Sequence, residues 1–287
     1  MFIILGGTGH VGQAAARRLK ADGHAVTVVT SDPEKVTGIE GQGCVAAVAD
    51  VCDVEGLRVV LRSGRRALLL NPPAPINGDT DARESATAHA IVEAARGAGL
   101  EKVVAASTYG ARAGEACGDL TVLYDFEQAL SALGTPVAIN RAAYYFSNFD
   151  MLVDAVREGG VLLTPFPADL LLPMVAPEDL GAAAARRLVS GLDDVGVRHV
   201  AGPERRTMND VARAFAQALG RPVRVETLPR DRWLEDYRKH GFSDAAALSY
   251  ACMTQATIDT VEQAPEPDER GEVTLESYIQ ALVARGG

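Results

Sequence analysis

The chain has 287 residues, 47% of them hydrophobic, enough for a large core in one or two domains. Its formal net charge of −10 argues against nucleic acid and against an anionic membrane surface, since both are held through lysine and arginine. Only 5% of residues are aromatic, and small aliphatic side chains suit a sheet covered by helices on both faces.

Met1-Phe2-Ile3-Ile4-Leu5 has no basic leader and runs into glycines, so it does not read as a signal peptide. No stretch reaches the roughly 18–20 apolar residues of a membrane span. The expectation is a cytoplasmic protein. Its four cysteines, Cys44, Cys52, Cys117 and Cys252, lack metal or redox spacing and read as reduced, mostly buried thiols.

In chain order, residues 2–5 form a short apolar strand and 11–21 an amphipathic helix. Strands then follow at 26–30, 45–49, 67–70, 103–106 and 137–140, with helices at 54–62, 80–98 and 120–133. Gly23, Gly99 and Gly134 each fall after a helix and before a strand, where a left-handed C-cap belongs. This alternation predicts an α/β fold of the Rossmann type, a doubly wound parallel sheet with right-handed crossovers. Residues 1–150 read as the NAD(P)-binding part. Residues 151–287 read as a smaller substrate or lid part, some of whose elements return to the sheet. It contains expected helices near 148–157 and 177–188, a strand at 197–200, a helix opened by Thr207 and ending at Gly220, and a strand at 223–227.

The first strand-to-helix turn is Gly6-Gly7-Thr8-Gly9-His10-Val11-Gly12. Gly6 allows the sharp turn, Gly9 lets backbone N–H groups approach a pyrophosphate, and Gly12 lets helix and strand pack closely. The helix N-terminus adds free amides and a partial positive charge. A strand before the loop and a helix after it make the glycine spacing meaningful. Thr8, His10 and Val11 complete the expected phosphate cradle.

The end of the second strand separates NAD from NADP. Asp32 suits a ribose 2′-hydroxyl by spacing, but Asp before Pro33 is also a turn starter. Thr30, Ser31 and Lys35 offer hydroxyls and a cation to a 2′-phosphate, which leans the reading to NADP, with NAD as the alternative. Asp50 is placed to bind the adenine amino group or to cap the next helix. Val51 follows it, and Asn71 and Pro72 end the fourth strand at the crevice where open sheets bind ligands.

These residues together resemble the NmrA-like family of atypical short-chain dehydrogenases. The resemblance rests on the glycine loop, Ala49-Asp50-Val51, Ala106-Ser107-Thr108, Glu127, Leu133-Gly134-Thr135-Pro136, Arg141 and Asn148. Further along, Pro173-Met174-Val175, Glu178-Asp179-Leu180-Gly181 and Ala201-Gly202-Pro203-Glu204 extend it. That family includes type-2 NAD(P)H quinone reductases, isoflavone-reductase-like enzymes and a regulator that binds dinucleotide without turnover. The resemblance implies a C-terminal part closing over the cofactor, with Ser107 and Thr108 near the nicotinamide. In the quinone-reductase relatives an arginine follows the second strand, where Ser31 stands here. Ordinary short-chain dehydrogenases carry Tyr-x-x-x-Lys. Counting back from Glu127 puts Leu123 at the lysine position and Asp119 at the tyrosine position, and Tyr124 is followed four residues on by Gln128.

Without that dyad, Tyr109 and Ser107 remain as expected catalytic residues. Tyr109, Tyr144, Tyr145 and Phe146 are expected to line the pocket of a flat apolar substrate such as a quinone. The reading is an NAD(P)H-dependent oxidoreductase passing hydride to a small conjugated electrophile, as monomer or homodimer, with no metal. A non-catalytic dinucleotide sensor is the alternative. A lyase or epimerase would need an acid–base pair that the sequence does not place.

Overall fold

The computed structural model describes residues 1–285. Six strands open the chain in parallel: β1 (Phe2–Ile4), β2 (Val26–Thr30), β3 (Val45–Val48), β4 (Arg66–Leu69), β5 (Lys102–Thr108) and β6 (Val137–Ala142). They are joined by α1 (His10–Ala21), α2 (Val36–Gly41), α3 (Val54–Arg62), α4 (Thr80–Ala95) and α5 (Asp119–Ser131). All five residues of β2 are buried, as expected of a strand covered on both faces.

The second half runs through β7 (Tyr144–Tyr145), a 3-10 stretch at Phe146–Leu152, α6 (Val153–Gly159), β8 (Val161–Thr164), β9 (Leu172–Val175) and α7 (Pro177–Val189). It continues with β10 (Gly196–Ala201), β11 (Arg205–Arg206), α8 (Met208–Leu219), β12 (Arg224–Thr227), α9 (Trp233–Lys239), α10 (Asp244–Thr260), β13 (Glu269–Arg270) and α11 (Leu275–Arg285).

The main sheet has eight strands in the order β13-β10-β6-β5-β4-β1-β2-β3. Its pairings are all parallel. The C-terminal half therefore extends this sheet through β10 and β13. It also builds a second core of its own around Phe146, Phe149, Leu162, Met174, Phe215 and Ile279. Strand order reverses beside β1, between β4 and β2, and ligands of open α/β sheets bind at such a point.

One face of the sheet is covered by α3, α4 and α5, through Leu57, Leu61, Ile91, Phe126 and Leu130. The other is covered by α1 and α7, through Ala15, Leu19, Ala184 and Leu188. Helices α1 and α7 approach closely because Gly181 has no side chain: a Cβ there would lie 2.4 Å from Ala14 Cβ and 2.6 Å from the Ala15 amide nitrogen. Gly23, Gly99 and Gly134 have φ of +82°, +76° and +76°, the left-handed conformation their positions require. Thr207 and Asp210 form a reciprocal capping box at the start of α8.

Three expectations are corrected. The helix expected over 148–157 is a 3-10 stretch followed by α6 from Val153. Phe146 opens that stretch and turns into the C-terminal core, 1% exposed and 5.6 Å from the Tyr278 ring, so it does not line a substrate pocket. Cys117 and Cys252 form a disulfide, joining the loop before α5 to α10 across 135 residues. Spacing along the chain carries no signal for a pair so far apart, and only folding α10 against α5 brings them together. Cys44 is a buried free thiol and Cys52 an exposed one. Among the described residues, no helix is long and apolar enough to cross a membrane.

Titration of the denatured, unreduced protein with a thiol reagent should find two reactive groups, Cys44 and Cys52, and four after reduction. Four without reduction would contradict the bridge.

Candidate functional site

The glycine loop closes on itself. The Gly9 amide donates to the Gly6 carbonyl at 3.1 Å, and the Gln13 side-chain amide donates to the Thr8 carbonyl at 2.8 Å. Gly6 sits at φ +72°. A Cβ on Gly12 would lie 2.3 Å from the Gly6 carbonyl oxygen and 2.7 Å from Gly7 Cα, so helix and loop touch through bare backbone. A Cβ on Gly9 would meet only the Gly6 oxygen at 3.5 Å, an ordinary contact, and would otherwise project into open space. Gly9 and His10 are exposed, Thr8 is half-buried, and no side chain caps the first-turn amides of α1. An open, uncapped helix N-terminus reached through side-chain-free backbone fits the diphosphate of a nicotinamide dinucleotide. The His10 imidazole lies 3.8 Å from the Asp150 carboxylate, across the loop toward the C-terminal half.

At the end of β2, the Thr30 hydroxyl accepts from the Asp32 amide at 3.1 Å. Asp32 in turn accepts from the Glu34 amide at 2.9 Å, capping the 3-10 turn Pro33–Lys35. Ser31 and Lys35 are exposed beside it. Asp50 is exposed and accepts from the Cys52 amide at 2.9 Å, while Asp53 caps α3. Val51 packs against the sheet core. Asn71 is committed to α4: it donates to the Glu84 carbonyl at 3.0 Å and accepts from the Thr87 hydroxyl at 2.8 Å. It shapes the crevice wall rather than offering its amide, with half-buried Pro72 beside it.

Ser107, at the end of β5, turns inward. It is 2% exposed, and its hydroxyl donates to Glu127 on α5. Glu127 also accepts two hydrogen bonds from the Arg141 guanidinium, at 2.9 and 2.7 Å. This buried, bidentate pair ties β5, α5 and β6 together, and it occupies the serine hydroxyl. Thr108 is half-buried at the crevice edge.

Tyr109 points the other way, edge-on to His199 with ring centroids 5.0 Å apart. Its hydroxyl is buried with no hydrogen-bond partner, and burial pushes its pKa up to about 12. A phenol so placed is a poor proton donor at neutral pH.

Tyr144 and Tyr145 form β7 beside β9. Tyr144 lies edge-on to Phe166 at 5.3 Å and is hydrogen-bonded by Asn148, and burial raises its pKa to about 12. Tyr145 lines one pocket with Val11, Ala106 and Asn140, which places it against the glycine loop. Its pKa is raised by burial first and by the Asp119 carboxylate second. Tyr237 of α9, Phe242 in the turn after it and Tyr250 of α10 form an aromatic cluster with centroid separations of 4.9 to 6.1 Å.

The structure adds three carboxyl groups that sequence reasoning missed or left without a role. Glu84 on α4 is buried and accepts from the Ala74 amide at 2.8 Å. Burial, and then the negative charges of Asp119 and Asp81, push its pKa up to about 7 against that amide. Asp119, the first residue of α5, is within hydrogen-bonding reach of Glu84, and its pKa is raised, again chiefly by desolvation. Asp81 accepts from the Gly118 amide at 3.0 Å and from the Ser249 hydroxyl at 2.5 Å, linking α4, the loop before α5, and α10. Glu84 carries no sequence signal, since one acid in the second turn of an Ala-rich helix reads as a solvated face.

Gly9→Val should cost folding only about 1 kcal/mol, the loss of a good N-cap, because its Cβ meets nothing closer than an ordinary contact. It should abolish NADPH binding measured by fluorescence, and wild-type affinity in this variant would contradict the cradle. Gly12→Ala should instead lower the melting temperature, because its Cβ meets the loop's own backbone.

A phosphate reductase of Streptomyces griseus, named for (4-alkanoyl-5-oxo-2,5-dihydrofuran-3-yl)methyl phosphate, is 29% identical over 80% of this chain and 78% of its own. An NAD(P)H azoreductase of Xenophilus azovorans is 23% identical over 78% of this chain and 76% of its own. The Escherichia coli NADPH-dependent quinone oxidoreductase, solved with NADPH, superposes with a TM-score of 0.78 at 21% identity, covering 98% of this chain and 99% of its own. The sequence pattern of the NmrA-like family matches residues 1–278, and the chain belongs to that family.

Proposed function

We propose that this protein is an NADPH-dependent reductase of small, flat, conjugated electrophiles, with quinone-like compounds first among them. The observation that carries this reading is Tyr145 of β7, whose half-buried ring shares one pocket with Val11 at the start of α1. The reductase activities named for the two curated relatives support hydride transfer rather than sensing alone.

The cofactor, once bound, supplies the hydride. The chain's own residues hold, orient and shield. The bare amides of α1 fix the diphosphate, and Ser31 and Lys35 stand where a 2′-phosphate would be met, while Asp32 is engaged in its own turn. Tyr144 and Tyr145 present ring faces and edges to an apolar, planar substrate. The buried Glu127–Arg141 pair holds the ends of β5 and β6 in register beside the reacting centre. Helix α10 is held to α4 by the Ser249 hydroxyl on Asp81, and with α9 it would shield the crevice from water.

Purified protein should oxidise NADPH when 1,4-naphthoquinone or an azo dye is added, followed by NADPH absorbance. Tight NADPH binding with no oxidation by any member of a quinone and azo panel would overturn the reading in favour of a sensor. Lys35→Glu should weaken NADPH about tenfold, roughly 1.4 kcal/mol, and leave NADH affinity unchanged. Equal loss for both nucleotides would remove Lys35 from the 2′-phosphate.

A further inference from the structure

The bridge between Cys117 and Cys252 lies at the edge of the sheet where ligands are met. Cys117 is in the loop from β5 to α5, and Cys252 is in the middle of α10. The start of α10 is tied to the loop from β4 to α4. The Ser243 amide donates to the Ile76 carbonyl at 2.9 Å, and the Ser243 hydroxyl donates to the Gly78 carbonyl at 2.7 Å. Both loops leave the carboxyl ends of parallel strands, as the glycine loop leaves β1. Helix α10 therefore straddles two loops of the ligand edge, and the bridge fixes it there covalently.

Two features around the bridge suit it to exchange with a thiol. The Arg112 guanidinium lies 4.0 Å from Cys117 Sγ, and Cys117 immediately precedes Gly118, the N-cap of α5. A cationic side chain and a helix N-terminus both stabilise a thiolate. A stabilised thiolate leaves faster when a disulfide is attacked. The Asp81 carboxylate beside them is already engaged, by the Gly118 amide and the Ser249 hydroxyl. Cys117 is 3% exposed and Cys252 is half-buried, so an external thiolate reaches Cys252 first.

We propose that Cys117–Cys252 is a thiol–disulfide exchange site, reduced by a dithiol, whose opening releases α10 from the ligand edge. In the balanced step a thiolate of the dithiol attacks Cys252 Sγ and forms a mixed disulfide. The Cys117–Cys252 bond breaks, and its electron pair leaves on Cys117 as a thiolate beside Arg112. The second thiolate of the reductant then attacks the reductant sulfur of the mixed disulfide, and Cys252 leaves in turn. The dithiol is oxidised to a disulfide and the bridge is reduced to two cysteines, a transfer of two electrons. The two protons of the dithiol pass to solvent or to the new cysteine thiols.

What holds the joint after reduction is non-covalent. The Ser249 hydroxyl still donates to Asp81, and Met253 still fills the space beside Gly118, where a Cβ would lie 2.5 Å from Met253 Sδ. The joint can therefore still close, but as an equilibrium. The bridge joins positions 135 residues apart, and its loss returns conformational freedom to the open chain. Tyr250 is on the same helix, in ring contact with Tyr237 and Phe242, so release of α10 loosens that cluster as well. The consequence for substrate rests on the reductase reading above, whereas the exchange chemistry does not.

Oxidised protein is treated with dithiothreitol without denaturant, quenched with an alkylating reagent and read by peptide mass. Cys117 and Cys252 should both become labelled. Arg112→Gln should slow that labelling roughly threefold or more, and Arg112→Lys should keep the wild-type rate. Hydrogen exchange across α10 should speed up about tenfold on reduction, and equally in Cys252→Ser without reductant. With 1,4-naphthoquinone as substrate, reduction should raise KM about fivefold and leave the NADPH Kd within about twofold. A bridge that opens only after denaturation, an Arg112→Gln rate equal to wild type, unchanged exchange in α10, or an unchanged KM in a protein that does turn over would each overturn the proposal. If the oxidised protein binds NADPH and oxidises none with any electrophile, the reductase reading itself has failed, while labelling and hydrogen exchange still decide the bridge.

Discussion

The structure depends on one close approach, the contact of Gly12 with the backbone of Gly6 and Gly7. With no Cβ at Gly12, α1 begins almost against the end of β1, and its first amides face outward uncapped. Any side chain there would lift the helix and redirect those amides. Gly9, three residues earlier, is bare without that need: a Cβ there would meet only the Gly6 carbonyl oxygen, at an ordinary 3.5 Å. These two glycines separate what the fold needs from what a ligand needs.

From that point the rest of the site is positioned by strand order. The reversal beside β1 opens the sheet edge, and α4 and α5 start from the same edge. The C-terminal half does not sit apart. It lends β10 and β13 to the main sheet and packs α7 on α1 through Gly181, so the walls carrying Tyr144, Tyr145 and Tyr250 are fixed to the cradle. The Cys117–Cys252 bridge pins α10 to the loop that leads into Asp119. Rigid placement of this kind is what a hydride transfer requires, since small displacements of a reacting centre cost large factors in rate.

Much of the sheet was legible in the sequence because its signals are local. Gly23, Gly99 and Gly134 mark helix ends by conformation alone, and the strands β1 to β6 are short runs dominated by Ala, Val, Ile and Leu. The glycine loop was legible for the same reason. What could not be read were pairings at long range. Ser107 and Tyr109 stand where a catalytic residue is expected, but Ser107 is occupied by Glu127, twenty residues on, and Tyr109 turns to His199 on β10. Phe146 follows two half-buried tyrosines and is itself sealed in the C-terminal core, because the chain bends into a 3-10 turn there. Cys117 and Cys252 are unremarkable along the chain and meet only when α10 folds against the loop before α5.

The central claim, that bare amides at the start of α1 clasp the diphosphate of a nicotinamide nucleotide, is tested most directly by thermal denaturation with and without NADPH. With NADPH at about 100 times its Kd, the unfolding free energy should rise by about 2.7 kcal/mol, with a matching rise in melting temperature. An unchanged melting curve at millimolar NADPH and NADH would contradict the account.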